Sequence, residues 1–143
     1  MKKTVIISFL LLFSVGVFSQ KNNDTIIANN AQNLRLKVFY FHITNRCNTC
    51  FSIEKYVRQT IDNNFANQLE LGIVDLYILN CELPENRDLV KKYDAYGATL
   101  ALTSYSNGKE EKSEDLTGWA FKKVHEPNIF ISELKAKIEE SIK

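Results

Sequence analysis

The sequence has little net charge and few of the residues that mark common catalytic or nucleotide-binding sites. Its 18 Lys and Arg against 17 Asp and Glu give a net charge of +1, so no strong field points to nucleic acid. None of its five glycines forms a GxGxxG loop, and no Ser-His-Asp order or paired-carboxylate pattern is present. With 143 residues, 45% hydrophobic and 24% charged, the chain has the composition of one globular domain.

The most apolar stretch lies at the N-terminus and is typical of a secretory signal peptide. "MKK" supplies positive charge, "VIISFLLLFSVGVF" is the apolar segment, and "VFSQ" offers a cleavage site after Ser19. We expect residues 1–19 to be removed, which would leave a periplasmic or secreted protein with no membrane attachment. An uncleaved N-terminal anchor is the alternative. Disulfides can persist in such a compartment.

The order of apolar patterns after this segment predicts an α/β fold. Residues 20–33 are rich in Asn, and their apolar residues follow no regular spacing. This pattern predicts a flexible leader before a domain at 34–143. The predicted strands and helices follow the order β-α-β-α-β-β-α, with strands at 36–42, 72–80, 98–105 and 109–116. This order predicts a three-layer arrangement: a mixed sheet of about four strands with helices on both faces.

Two cysteines lie two residues apart where the first buried strand gives way to a helix. Free N–H groups and the positive dipole end of a helix start stabilise a thiolate, the nucleophile of disulfide exchange. We expect Cys47 to be the exposed attacking thiolate and Cys50, in the first turn, the resolving thiol. Arg46 adds a nearby cation, and Asn48 or Thr49 can cap the helix. A static disulfide, two buried thiols or a zinc half-site are the alternatives, although no second CxxC or HxxxH exists.

Three further residues could contribute to a site at this edge of the sheet. Cys81 ends the second predicted strand and either joins Cys47 and Cys50 in a three-thiolate site for a soft metal or arsenical, or packs as a small hydrophobe. His42 ends the first strand and reaches the site unless alternation along the strand turns it away. His125 is expected to be a surface residue of a loop.

The segments "FYFHITNRCNTC" and "YILNCELPENRDLVKKYDAYGATLALTSYSNGKE" resemble the thioredoxin-like superfamily, over about residues 36–142. Together with the late "DLTGW", they are similar to a small secreted family named as a subunit of nitrophenyl compound nitroreductase (the ArsF family). The resemblance implies a thioredoxin-like three-layer fold. It also implies thiol–disulfide exchange or electron transfer with a partner protein, which would include a nitroreductase component. We expect a monomer without a cofactor.

Two positions depart from the thioredoxin pattern. Arg46 stands where thioredoxins place Trp immediately before the CxxC. The position of their cis-proline aligns with Ala98 or Thr99, and the only prolines of the chain, Pro84 and Pro127, lie elsewhere. A residue other than proline strongly prefers a trans bond, so we expect the loop facing the cysteine pair to differ in shape. A structural subunit with a vestigial site is the third interpretation of the chain.

Overall fold

The computed structural model describes residues 24–27 and 33–143. The expected signal peptide at 1–19 therefore lies outside the described residues. Within the described part, the strands are β1 Thr25–Ile27, β2 Leu36–His42, β3 Val74–Asn80, β4 Thr99–Ser106 and β5 Lys109–Asp115. The helices are α1 Asn48–Asn64, α2 Ala66–Glu70, α3 Arg87–Tyr93, α4 Thr117–Lys123 and α5 Pro127–Ser141. No helix among these residues has the length and apolar character needed to cross a membrane.

The strands form one mixed sheet in the order β1-β3-β2-β4-β5. Strands β2 and β3 are parallel neighbours joined through α1, whereas β4 is antiparallel to β2, and β5 is antiparallel to β4. The predicted α/β class and mixed sheet are thus confirmed. The expected four strands correspond to β2–β5, and β1 adds a short antiparallel edge beside β3.

The central strand β2 is buried on both faces, which explains its unbroken run of apolar and aromatic residues. Leu36, Val38 and Tyr40 point to a core shared with α1, α4 and α5. Phe39 and Phe41 point to the opposite core, where α3 packs. Burying each such side chain contributes roughly 1.5–3 kcal/mol. The sheet therefore holds the end of β2 rigidly between two packed layers.

Helix α1 is fixed over the sheet by one apolar face and by contacts with the last helix. Its buried residues are Cys50, Ile53, Val57, Thr60 and Ile61. On its flank, the ring of Tyr56 lies 5.6 Å from that of Phe130, which in turn lies 4.7 Å from the ring of Trp119. The indole N–H of Trp119 donates to Glu133 at 2.8 Å. These contacts hold the flank of α1 against the last helix.

Two short helices were missed by the sequence patterns. The buried Phe65 ends α1, and the chain continues as α2. Around α4, Leu116, Ala120 and Val124 place one residue per turn in the core. Both helices have at most seven residues, too few to give a clear period. A hairpin turn joins β4 to β5, with positive φ at Asn107 and Gly108.

The segment before β2 was predicted as a leader, yet part of it belongs to the sheet. The carboxylate of Asp24 accepts two bonds of 2.6 Å, from the backbone N–H of Asn80 and from the side-chain amide of Asn86. Thr25–Ile27 then pairs with β3. Three residues in an Asn-rich segment are too few for strand alternation to be detected. Asp24 thus ties this strand to the edge of the sheet near the cysteine pair.

We expect Asp24→Ala to lower the free energy of unfolding by about 1–3 kcal/mol, because it removes the acceptor of both hydrogen bonds. Urea unfolding followed by circular dichroism measures the change. Asp62→Ala, at an exposed position of α1, is the matched control and should change stability by less than about 0.5 kcal/mol. Equal effects of the two substitutions would show that Asp24 does not anchor the strand.

Candidate functional site

The CxxC pair lies where β2 ends and α1 begins, and a cysteine caps the helix. Cys47 is the N-cap residue, with extended backbone angles (φ −81°, ψ 163°). Its Sγ accepts the backbone N–H of Cys50, with N and Sγ 3.3 Å apart. The usual caps are Ser, Thr, Asp or Asn, and the neighbouring Asn48 and Thr49 had been expected to cap the helix. A neutral thiol is a weak acceptor, so this position favours the thiolate.

The second cysteine lies beneath the first turn and is fixed to the sheet. Cys50 is 8% exposed, whereas Cys47 is fully on the surface. The hydroxyl of Tyr40, itself 1% exposed, donates to the backbone oxygen of Cys50 at 2.8 Å. This bond joins the middle of β2 to the first turn of α1. One sulfur is therefore open to a partner, while the other is held just behind it.

The two thiols have opposite electrostatic environments. The side chain of Cys50 donates to Cys47, and together with backbone N–H groups of the first turn it lowers the pKa of Cys47. Burial is the main cause that raises the pKa of Cys50, and its hydrogen bond to Cys47 raises it further. The pair thus combines an easily ionised outer sulfur with an inner sulfur that keeps its proton.

Arg46, immediately before the pair, is engaged in an ion-pair network. It pairs with Glu54, which also accepts from Nε of Arg58 at 2.8 Å. Burial opposes ionisation of Glu54, but the bonds from Arg58 and Arg46 hold its pKa below the ordinary value. The guanidinium of Arg46 also lies 5.3 Å from the ring centre of Phe51. The lowering of the pKa of Cys47 comes from hydrogen bonds, so electrostatic support by Arg46 stays a prediction.

A shallow groove of about 360 Å³ begins beside the pair and follows α1. It is lined by Arg46, Phe51, Glu54, Lys55, Arg58, Gln59 and Asp62. Phe51 is 55% exposed and gives the groove an apolar patch next to the outer sulfur. A larger cavity, about 490 Å³, lies between β5 and the end of α5 and is lined by no cysteine.

The structure does not bring the third cysteine to the pair. Cys81 packs against the core on the α3 side of the sheet, whereas Cys50 lies under α1 on the other side. Burial, followed by the nearby Glu82, raises the pKa of Cys81. Among residues 24–27 and 33–143, no group of three or more His, Cys, Asp or Glu side chains could hold a metal ion. The three-thiolate arrangement therefore has no geometric support.

The two histidines lie in different environments. His42 follows Tyr40 by two residues and so faces the α1 side of the sheet, where it is 1% exposed. Arg46 and Glu54 both act on its charge. The sequence had left open which way His42 turns, because the end of a strand is where alternation is least certain. His125 is exposed in the loop before α5.

The loop that precedes β4 lies at the same edge of the sheet, because Thr99 pairs with Phe41 near the end of β2. The described residues contain no cis peptide bond, as the absence of proline from this loop leads one to expect. Tyr96 in this loop is 70% exposed. The loop at this edge of the sheet therefore carries an exposed aromatic ring and a trans backbone.

These features define an α/β protein with an exposed and a buried cysteine at the start of a helix. Searches found no family model that matches the chain and no curated protein that matches it. The functional conclusion therefore rests on the geometry of the pair and its surroundings.

We expect iodoacetamide to modify Cys47 at least about tenfold faster than Cys50 at neutral pH, because the outer sulfur is exposed and more ionised. The thiolate is lost as pH falls through its pKa, so the reaction of Cys47 should persist to lower pH than that of free cysteine. Mass spectrometry of tryptic peptides measures the rates, with Cys81 as the internal control. Faster modification of Cys50 would contradict the assignment.

Proposed function

We propose that this chain is an exported thioredoxin-like protein that exchanges a disulfide with a partner protein through Cys47 and Cys50. The proposal rests on one observation: the two sulfurs of the pair differ in exposure and in the direction in which their pKa is shifted. Cys47 is exposed and caps a helix, whereas Cys50 is buried and hydrogen-bonded to it. A static structural disulfide needs no such difference between its two sulfurs.

The reaction has two balanced steps. The Cys47 thiolate attacks a disulfide of the partner, forms a mixed disulfide, and releases one partner sulfur as a thiolate that takes up a proton. The deprotonated Cys50 then attacks Sγ of Cys47 and releases the second partner sulfur in the same way. The partner gains two electrons and two protons, and Cys47 and Cys50 become a disulfide. The reverse sequence oxidises a partner dithiol, and the two reduction potentials set the direction.

The sequence features support a setting outside the cytoplasm. The N-terminal pattern of charge, apolar segment and cleavage site supports export, and thiol–disulfide chemistry suits the periplasm or the secreted state. Resemblance to the nitroreductase subunit family supports a redox protein as the partner. Phe51, exposed beside Cys47, supports recognition of a protein surface over a small hydrophilic thiol.

Equilibration in glutathione redox buffers tests the proposed function. We expect Cys47 and Cys50 to interconvert reversibly between dithiol and disulfide. Alkylation followed by mass spectrometry measures this, and the two thiols should be lost together. Cys81→Ser should leave the titration unchanged, since Cys81 lies on the other face of the sheet. Absence of a reversible Cys47–Cys50 disulfide would refute the proposal.

A trapping experiment should identify the partner. In Cys50→Ser the mixed disulfide cannot be resolved, so we expect covalent complexes to accumulate in cells and to disappear on reduction. Cys47→Ser is the matched control and should trap nothing, because it lacks the attacking sulfur. If Cys47→Ser also preserves biological activity, the pair is vestigial and the chain acts as a structural subunit.

A further inference from the structure

The described residues contain one buried side-chain polar atom without a hydrogen-bond partner, and it lies at this site. That atom is Nε2 of His42. A buried polar atom without a partner usually raises the free energy of the folded state, so its presence calls for an explanation. The other ring nitrogen, Nδ1, lies 3.0 Å from the backbone oxygen of Ile43.

The contact of Nδ1 fixes the chemical character of Nε2. A carbonyl oxygen only accepts, so Nδ1 must carry the proton in the neutral ring. Nε2 then carries a free lone pair and is a base. Burial, the main influence, lowers the pKa of His42, which keeps the ring neutral at neutral pH. A neutral imidazole with an unused lone pair can take up a proton.

The position of His42 relates it to the inner thiol. Tyr40 and His42 are successive residues on the α1 face of β2, and Tyr40 reaches the backbone of Cys50. Glu54, one helical turn after Cys50, acts on the charge of His42. His42 therefore lies on the α1 face of the sheet, two residues after the one whose hydroxyl bonds to the backbone of Cys50.

The proposed function leaves one requirement unmet. Cys50 must lose its proton before it attacks the mixed disulfide, yet its environment keeps the proton on the sulfur. The hydroxyl of Tyr40 is not a base, because it keeps its proton: it donates to a carbonyl, and burial raises its pKa. A base on the buried side of the pair would meet the requirement.

We propose that His42 is the catalytic base of the second step and that its Nε2 accepts the proton of Cys50, directly or through one water. The proton moves from Sγ of Cys50 to Nε2, and the new thiolate bonds to Sγ of Cys47. The bond from Cys47 to the partner sulfur breaks, and the partner leaves with the electron pair as a thiolate. The imidazolium then returns its proton to that thiolate through solvent. This inference rests on the proposed function of the pair.

The charges around His42 allow brief protonation of the ring. Glu54 of α1 and Asp24 before β1 favour the imidazolium, and Arg46 opposes it. His42 also lowers the pKa of Glu82 in the loop after β3, to a smaller extent than the bonds from Thr44 do. The carboxylates come from two different elements, the helix α1 and the N-terminal segment. The ring is thus neutral at rest and can carry a positive charge during the step.

Reaction with Ellman's reagent separates the two steps in a Cys81→Ser background of the full chain. Cys47 attacks the reagent in a bimolecular phase, and Cys50 then displaces the second thionitrobenzoate in a unimolecular phase. Thionitrobenzoate leaves as a stable anion and needs no proton. Any dependence of the unimolecular phase on His42 therefore reports deprotonation of Cys50.

We expect His42→Asn to slow the unimolecular phase at neutral pH by about tenfold or more, since base catalysis typically contributes a hundredfold or more. The Asn amide keeps a donor near the Ile43 carbonyl but supplies no base. The deficit should shrink as pH rises, because Cys50 then ionises without help, and the bimolecular phase should stay within about twofold. His125→Asn, at the other histidine, should change neither phase.

Two results would overturn the role of His42: an unchanged unimolecular phase, or a loss of rate that is equal at every pH. Nitrogen-15 NMR of the wild-type ring gives a second test that needs no folded variant. We expect a proton on Nδ1 and none on Nε2, and the opposite tautomer would contradict the proposal. If Cys47 and Cys50 never form a disulfide, the proposed function itself fails. If the disulfide forms at a rate that does not depend on His42, only the role of His42 fails.

Discussion

The hydrogen bond from the backbone N–H of Cys50 to the sulfur of Cys47 is the interaction on which the site depends. It makes one cysteine the cap of α1 and thereby directs the unpaired N–H groups of a helix start toward a sulfur atom. The same helical turn carries Cys50 inward, where burial keeps its proton in place. One local contact thus distinguishes an outer sulfur that ionises more readily from an inner thiol that keeps its proton.

The sheet makes this contact possible by fixing both partners. Strand β2 is buried on both faces, so its end has little freedom, and Tyr40 joins it directly to the first turn of α1. Tyr56, Phe130 and Trp119 hold the far side of the helix. A CxxC pair in a flexible loop would have no defined inner and outer sulfur.

The residue before the CxxC pair, Arg46, belongs to an ion-pair network with Glu54 and Arg58. Arg46 is paired with Glu54, and its guanidinium lies over the ring of Phe51, so the positive charge before the CxxC is compensated within the protein. Phe51 is 55% exposed and lines the groove along α1. The start of α1 therefore combines a compensated charge with an exposed aromatic ring.

Much of this arrangement could be predicted from the sequence, because its main elements carry strong local signals. The buried runs of β2 and β3, the amphipathic face of α1 and the Asn-Gly turn all specify their own structure. The strand β1 could not be predicted, since its place depends on the distant Asn80 and Asn86 bonding to Asp24. The side of the sheet taken by Cys81 and the ion pair of Arg46 also required three-dimensional contacts.

The most direct test of the central claim is a pH titration of the two sulfurs followed by NMR of cysteine labelled with carbon-13 at Cβ. Both thiols are observed in one sample of the reduced protein, with Cys47→Ser and Cys50→Ser to assign the signals. The account predicts that Cys47 ionises first, below the ordinary pKa of cysteine, and that Cys50 ionises only above it. Ionisation of Cys50 before Cys47, or of both at the ordinary value, would contradict it.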